Sequence, residues 1–165
     1  MFCPRCGAST FERESLKSFL CKACGFTYFQ NAATAVAAII IAEGEMLIAE
    51  RAREPGKGMW DLPGGFVDYD EPLETALQRE LQEELGWHTD ILQYIGSQPN
   101  VYPYKGITYH TCDCFFLVEL DAKPEHLKAN DDVASLRWVA IEEINLDKFA
   151  FQSIRSMLET LLTSS

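Results

Sequence analysis

Positive charge is scarce in this chain. Its 14 lysines and arginines face 25 aspartates and glutamates, a formal net charge of −11 with a pI near 4.6. Such a surface repels nucleic acid phosphates and acidic membranes, so neither is an expected partner. It also repels any small phosphorylated ligand, unless metal ions and a few local cations mask the site. Long apolar runs are missing as well: no stretch reaches the roughly 18 residues of a membrane-spanning helix. The first residues lack the basic-then-apolar order of a signal peptide, so a cytoplasmic location is the default expectation. There is no internal repeat and no low-complexity tract. What remains is ordinary: 165 residues, 47% hydrophobic and 24% charged, suit one domain with a small appendage.

The appendage announces itself through cysteine. Cys3-Pro-Arg-Cys6-Gly and Cys21-Lys-Ala-Cys24-Gly stand 14 residues apart, and a glycine follows each pair. Such knuckles let two thiolates share one ion, and four thiolates complete a closed tetrahedral Zn²⁺ site. So short a segment buries too little surface to fold unaided, and metal binding would supply its folding free energy. Two disulfides are the alternative, disfavoured in a cytosolic chain. A redox pair is another, disfavoured by two matched copies. With no open coordination position, the zinc expected at Cys3, Cys6, Cys21 and Cys24 is structural.

The most informative stretch is Gly64 to Trp87, GGFVDYDEPLETALQRELQEELGW. It reads as a glycine turn followed by one helix, starting between Asp70 and Pro72 and stopping at Gly86. On a 3.6-residue repeat, Leu73, Ala76, Glu80 and Glu83 form one stripe, with Glu84 beside it. Leu77, Leu81 and Leu85 form the neighbouring core-facing stripe. The carboxylates therefore adjoin the buried face, where like charges one turn apart repel. Hard oxygen ligands converging from one helix suit Mg²⁺ or Mn²⁺. A solvated acidic helix is the plainer alternative, but it leaves the paired glycines of LPGGF without a purpose.

Around this stretch the pattern alternates. Residues 27–41 are an apolar, partly β-branched run. Glu43-Gly44 is a turn, and MLIAER completes a hairpin. A short strand is expected near Trp60, whose side chain reads as core. TDILQYIGS, ITYHTCDCFFLVEL and SLRWVAI read as further strands, and Leu146–Leu162 as an amphipathic helix. His110, Cys112 and Cys114 share one strand face, where small thiols more often pack than ligate. His88 and His126 have no assigned role. Strands alternating with two helices fit a sheet covered on both faces.

Gly65, five residues, Glu71, seven residues, then Arg79-Glu80-Leu81-Gln82-Glu83-Glu84-Leu85-Gly86-Trp87 fills every constrained position of the Nudix box. The chain thus resembles the Nudix hydrolases. The resemblance implies an α/β fold, the α/β/α sandwich with a mixed sheet, preceded here by the zinc ribbon: residues 1–28 and 29–165. It implies hydrolysis of a diphosphate linkage in a nucleoside diphosphate derivative. Glu80 and Glu84 would be the Mg²⁺ or Mn²⁺ ligands, and Glu83 a further ligand or the residue activating water. The Gly64 carbonyl would be another ligand, and Arg79 would orient the carboxylates. Glu71 reads as a helix-start or Arg79 partner. Asp132, six before Trp138, stands where members place an extra acidic ligand or base. A homodimer is also implied.

A ribbon before the box is similar to the bacterial NADH pyrophosphatases of this family. Those carry SQPWPFPxS after the box; here the segment is Ser97-Gln98-Pro99-Asn100-Val101-Tyr102-Pro103-Tyr104-Lys105. Asn100 replaces Trp, Val101 replaces Pro and Lys105 replaces Ser. Gln98, Pro99, Tyr102 and Lys105 become candidate substrate contacts. Phe29, five after Cys24, aligns with a nucleotide-contacting aromatic and could instead pack the ribbon. The expected substrate is a small nucleotide, NAD(H) or ADP-ribose. Alternatives are a nucleotide sugar, a modified nucleotide, or a sensor that binds a nucleotide without turning it over.

Overall fold

The computed structural model describes residues 1–130 and 132–163. The chain divides into two compact units, Met1–Ala32 and a second from Ala33 onward.

The first unit is a three-stranded antiparallel sheet in the order β1 (Phe11–Arg13), β2 (Ser18–Cys21), β3 (Thr27–Phe29). Its core is only Cys3, Phe11, Phe19 and Cys21, with Ala8, Cys24 and Phe26 packed against it. The glycine after each cysteine pair is left-handed, Gly7 at φ 73° and Gly25 at φ 71°. Each donates its N–H back to the carbonyl of the first cysteine, Cys3 at 2.9 Å and Cys21 at 2.8 Å. The knuckles close because glycine adopts that conformation without steric cost.

The second unit is built on a mixed sheet. Its strands are β4 (Ala33–Ala42), β5 (Glu45–Arg51), β6 (Trp60–Asp61), β7 (Gly64–Phe66), β8 (Gln93–Tyr104), β9 (Ile107–Leu120) and β10 (Val133–Ala140). The order is β10-β5-β4-β9-β8, with β6 added to β5 and β7 to β4. Only β4 and β9 run parallel. Apart from Thr34, β4 is apolar because both its faces are covered. Val36, Ala38 and Ile40 pack with Leu77, Leu81 and Leu85 of helix α1 (Leu73–Leu85). Ile39, on the opposite face, packs with Ile154 and Leu158 of helix α2 (Gln152–Thr163). The α/β/α sandwich follows from that two-sided burial.

Two details of the strands have local causes. Glu43 and Gly44 have φ of 53° and 77°, the paired positive values of a tight hairpin turn whose twist suits the flanking strands. β8 begins later than TDILQYIGS suggests, at Gln93, and continues through the whole SQPNVYPY segment. Two prolines are tolerated there because β8 is an edge strand. No helix among the described residues is long and apolar enough to cross a membrane.

The C-terminal helix corrects the sequence reading. Residues Leu146–Lys148 form a 3-10 turn, and α2 starts only at Gln152. Phe149 is fully buried and meets Trp60 edge-on, ring centroids 5.6 Å apart. Ala150 then donates its N–H to the Trp60 carbonyl at 2.9 Å. That bond to β6 takes the place of a helical one, so the amphipathic pattern is interrupted before it is resumed.

The sheet also contains a wedge. β4 and β5 pair only at Ile41–Met46 and Ala42–Glu45, then separate. β7 fills the β4 side of the gap and β6 the β5 side. The divergence of two neighbouring strands is what opens a cavity inside an otherwise continuous sheet.

Candidate active site

Helix α1 is placed by its two ends. Pro72 caps the start with extended backbone, and Gly86 ends it in the left-handed conformation at φ 63°. Its leucines bury against β4, and this turns its acidic stripe toward β7. Arg79 organises the exposed side of that stripe. Its Nε donates to Glu71 Oε1 at 3.0 Å and its Nη2 to Glu71 Oε2 at 3.1 Å. Nη1 donates to Glu80 Oε1 at 2.8 Å and to Glu83 Oε2 at 3.3 Å. Nη2 also reaches the Phe66 carbonyl at 3.0 Å, tying the helix to β7. The hydrogen bonds from Arg79 hold the Glu71 carboxyl below its ordinary range.

Glu84 lies on the other side of the stripe and is 8% exposed. Its Oε2 accepts the Gly64 N–H at 2.9 Å. Among the described residues no cation pairs with it. Burial pushes its pKa up to about 8, the Gly64 bond opposes this, and the charges of Glu80, Asp61 and Asp132 add to the rise. Glu80 is also raised, again first by burial, with Arg79 opposing. A buried carboxylate surrounded by three others and lacking a counter-ion is a site whose chemistry fits a divalent cation.

The two glycines are required by space. A Cβ on Gly64, at φ 147°, would lie 2.1 Å from the Val36 carbonyl oxygen. A Cβ on Gly65 would lie 2.5 Å from Glu80 Cδ. β7 therefore runs flush against both β4 and the carboxylates of α1.

The wedge holds a cavity of about 150 Å³ beside Gly64 and Glu84. Tyr102 and Asp132 reach it, as expected candidates. Tyr102 meets Phe66 edge-on, ring centroids 5.5 Å apart, and lies tilted by 30° against Phe151 at 5.6 Å. Asp132 is 55% exposed and paired with Arg53 at 2.8 Å. The cavity also holds groups the sequence reading passed over. Arg51 pairs with Asp61, donates to the Pro55 carbonyl at 2.6 Å, and lies 4.8 Å from the Phe151 ring centre. Burial raises the Asp61 pKa against the pull of Arg51. Opposite charges at neighbouring ends of two core strands were the available signal.

The remaining candidates lie elsewhere. Glu83 is 51% exposed and occupied by Arg79. Gln98 sits on β8 opposite Asp113, on the same face as Asn100 but outside the cavity lining, and Pro99 lies opposite Cys112 on the other face. Lys105 is in the β8–β9 turn at φ 47°, with its ammonium 5.0 Å from the Tyr104 ring centre. Phe29 belongs to the first unit, on β3, and is 56% exposed. Cys114 is buried as core, whereas Cys112 and His110 are exposed.

Among the described residues only Cys3, Cys6, Cys21 and Cys24 gather their ligand atoms within 4.8 Å of one another. Cys3 and Cys24 sulfurs lie 3.8 Å apart, and Cys6 and Cys21 sulfurs 3.7 Å. A tetrahedron with metal–sulfur bonds of about 2.3 Å has edges of about 3.8 Å. The thiols are free of disulfides, and their spacing fits a four-thiolate metal site.

Comparison with known proteins agrees with this fold. The model of the NUDIX domain matches residues 31–161. An ADP-ribose pyrophosphatase from Methanocaldococcus jannaschii is 34% identical over 126 residues, covering 76% of this chain and 71% of that one. A NAD-capped RNA hydrolase NudC from Vibrio parahaemolyticus is 26% identical over 146 residues, 87% of this chain. The chain spans only 52% of that relative's length. A NUDIX hydrolase structure from Nitrosomonas europaea superposes with a TM-score of 0.69 at 24% identity, covering 96% of this chain and 90% of that one. With the domain matched over most of its length and the glutamate helix packed on the paired glycines, this chain belongs to the NUDIX family.

Proposed function

We infer that the chain hydrolyses the diphosphate linkage of an adenine-containing nucleoside diphosphate derivative, NAD(H) or ADP-ribose. The observation that carries this reading is Glu84: a buried carboxylate beside Glu80, hydrogen-bonded to Gly64 and facing the cavity, with no cationic side chain among the described residues paired to it. Mg²⁺ or Mn²⁺ would be held by Glu80, Glu84 and the Gly64 carbonyl, with Glu83 and Asp132 as further ligands or bases. When bound, the ion polarises a phosphoryl oxygen and lowers the pKa of water. The chain's own residues do the rest. Arg79 holds Glu80 and Glu83 in place, the glycines admit substrate close to the backbone, and the cavity takes the nucleotide. Water adds to one phosphorus, the bridging oxygen leaves with the other, and two phosphomonoesters result. Zn²⁺ on the four cysteines would be structural.

The relatives support this substrate class: one is named for ADP-ribose and another for NAD-capped RNA. The net charge of −11 disfavours long RNA contacts and favours the small nucleotide. The test is product analysis with Mg²⁺ or Mn²⁺ on NAD(H), ADP-ribose, nucleotide sugars, modified nucleotides and NAD-capped RNA. Turnover of none would replace an enzyme with a nucleotide sensor.

A further inference from the structure

The cavity wall contributed by β8 and β9 alternates strictly. Asn100, Tyr102, Thr111, Asp113 and Phe115 line it, while the intervening Pro99, Val101, Cys112 and Cys114 do not. Asn100 and Thr111 are directly opposed across the two strands, so both side chains stand on the cavity face. Four of the lining residues are buried and polar: Glu84, Asn100, Thr111 and Asp113. Three have protein partners. Thr111 Oγ1 donates to Asp113 Oδ1 at 2.6 Å, and Ser153 Oγ donates to Asp113 Oδ2 at 2.6 Å. Glu84 accepts from Gly64. Asn100 is 9% exposed, and among the described residues its carboxamide has no hydrogen-bond partner.

The carboxamide nitrogen and oxygen are not sealed from solvent, so their hydrogen-bonding capacity stays open to the cavity. Asn100 stands on the cavity wall beside the aromatic cluster of Tyr102, Phe66 and Phe151. Apolar and aromatic walls with a few placed polar groups are how a pocket both holds and orients a ligand. A carboxamide offers one donor and one acceptor side by side, the complement of adenine's amino group and adjacent ring nitrogen. We propose that Asn100 reads the base: its carboxamide hydrogen-bonds the edge of an adenine lodged against Tyr102, and so selects adenine nucleotides. This rests on the proposed function for the diphosphate, and it assigns the choice of base to a residue outside the glutamate helix. Thr111 and Asp113 stiffen the wall and do not compete for the base, because their hydrogen bonds face each other and Ser153.

The experiment measures affinity for ADP, GDP, CDP and UDP by calorimetry on the full chain, with Ca²⁺ present to suppress turnover. Wild type is expected to prefer ADP, and Asn100→Leu to lose that preference by roughly 5- to 150-fold, the range for one bidentate base contact. Asn100→Asp, which presents two acceptors, is expected to move the preference toward GDP, whose guanine edge offers two donors. Equal affinities in wild type, or an ADP preference surviving in both variants, would overturn the proposal. Hydrolysis is assayed separately. ADP selectivity without turnover of any substrate would remove the proposed enzyme and leave Asn100's role standing, whereas turnover indifferent to the base would do the reverse.

Discussion

Arg79 and Glu71, eight positions apart in sequence, meet in a two-point ion pair with contacts of 3.0 and 3.1 Å. Glu71 also accepts the Asp68 N–H at 3.1 Å, so it clamps the loop before α1 to the middle of the helix. Arg79 is thereby aimed, and its free edge positions Glu80 and Glu83.

Glu71→Gln is expected to keep the fold and lower kcat by about 10- to 100-fold, through misplacement of Arg79 and not through loss of a ligand. The pair has a pH signature. Because the folded pKa of Glu71 is depressed, its stabilisation is present above the ordinary glutamate range and lost as pH falls through the lower folded value. Urea midpoints should separate wild type from the variant at pH 7 and draw together as pH falls below the ordinary glutamate range. A gap that persists in acid would mean the pair acts by something other than charge.

Glu84 carries the opposite shift. With its pKa raised to about 8 by burial, the metal-free protein gains stability from this group at low pH and loses it as pH rises through 8. A bound divalent ion must displace that proton. Calorimetry of Mn²⁺ binding at pH 7 in buffers of different ionisation enthalpy should show release of about one proton per ion. Glu84→Gln should abolish the release, weaken Mn²⁺ binding and cost several orders of magnitude in turnover while the far-UV spectrum stays unchanged. Near-normal activity in that variant would sink the metal assignment.

The glycines test the packing. Gly64→Ala drives a methyl to 2.1 Å from the Val36 carbonyl, a backbone clash that cannot relax by rotating a side chain. A stability loss of about 3 kcal/mol or more is expected. Gly65→Ala meets the Glu80 carboxyl instead, at 2.5 Å from Cδ. That side chain can swing away, so the thermal midpoint should change little and metal affinity should fall. Equal effects from the two substitutions would contradict this division.

Elemental analysis should find about one Zn²⁺ per chain, held by the thiolates. Removing it with a strong chelator should expose all four ribbon cysteines to a thiol reagent, since the first unit's core is four side chains and two of them are ligands. Thiols that stay protected without metal would show that this small core folds by itself.

Much of this was legible without coordinates, and for local reasons. The extent of α1 followed from Pro72 and Gly86, the Glu43-Gly44 hairpin from its turn residues, and the cysteine knuckles from their glycines. These depend on neighbours in sequence, so composition and spacing suffice. The box likewise displays its carboxylates at helical intervals, because the helix itself brings them together.

What the chain alone did not reveal is whatever two distant segments make jointly. The interruption of the last helix comes from Phe149 meeting Trp60, 89 positions earlier in the numbering. The cavity exists because β4 and β5 part and two short strands fill the gap, which no periodicity encodes. Arg51 and Asp61 carry no local signal of their own and are brought together by the pairing of β5 with β6. Asn100 read as a departure from a motif; only its place opposite Thr111, on the walled side of an edge strand, puts its carboxamide on the cavity. Sequence determined which helix carries the carboxylates, because helical spacing is local. Tertiary structure decided which of them is buried and which residues line the cavity, because burial is set by what the rest of the chain lays on top.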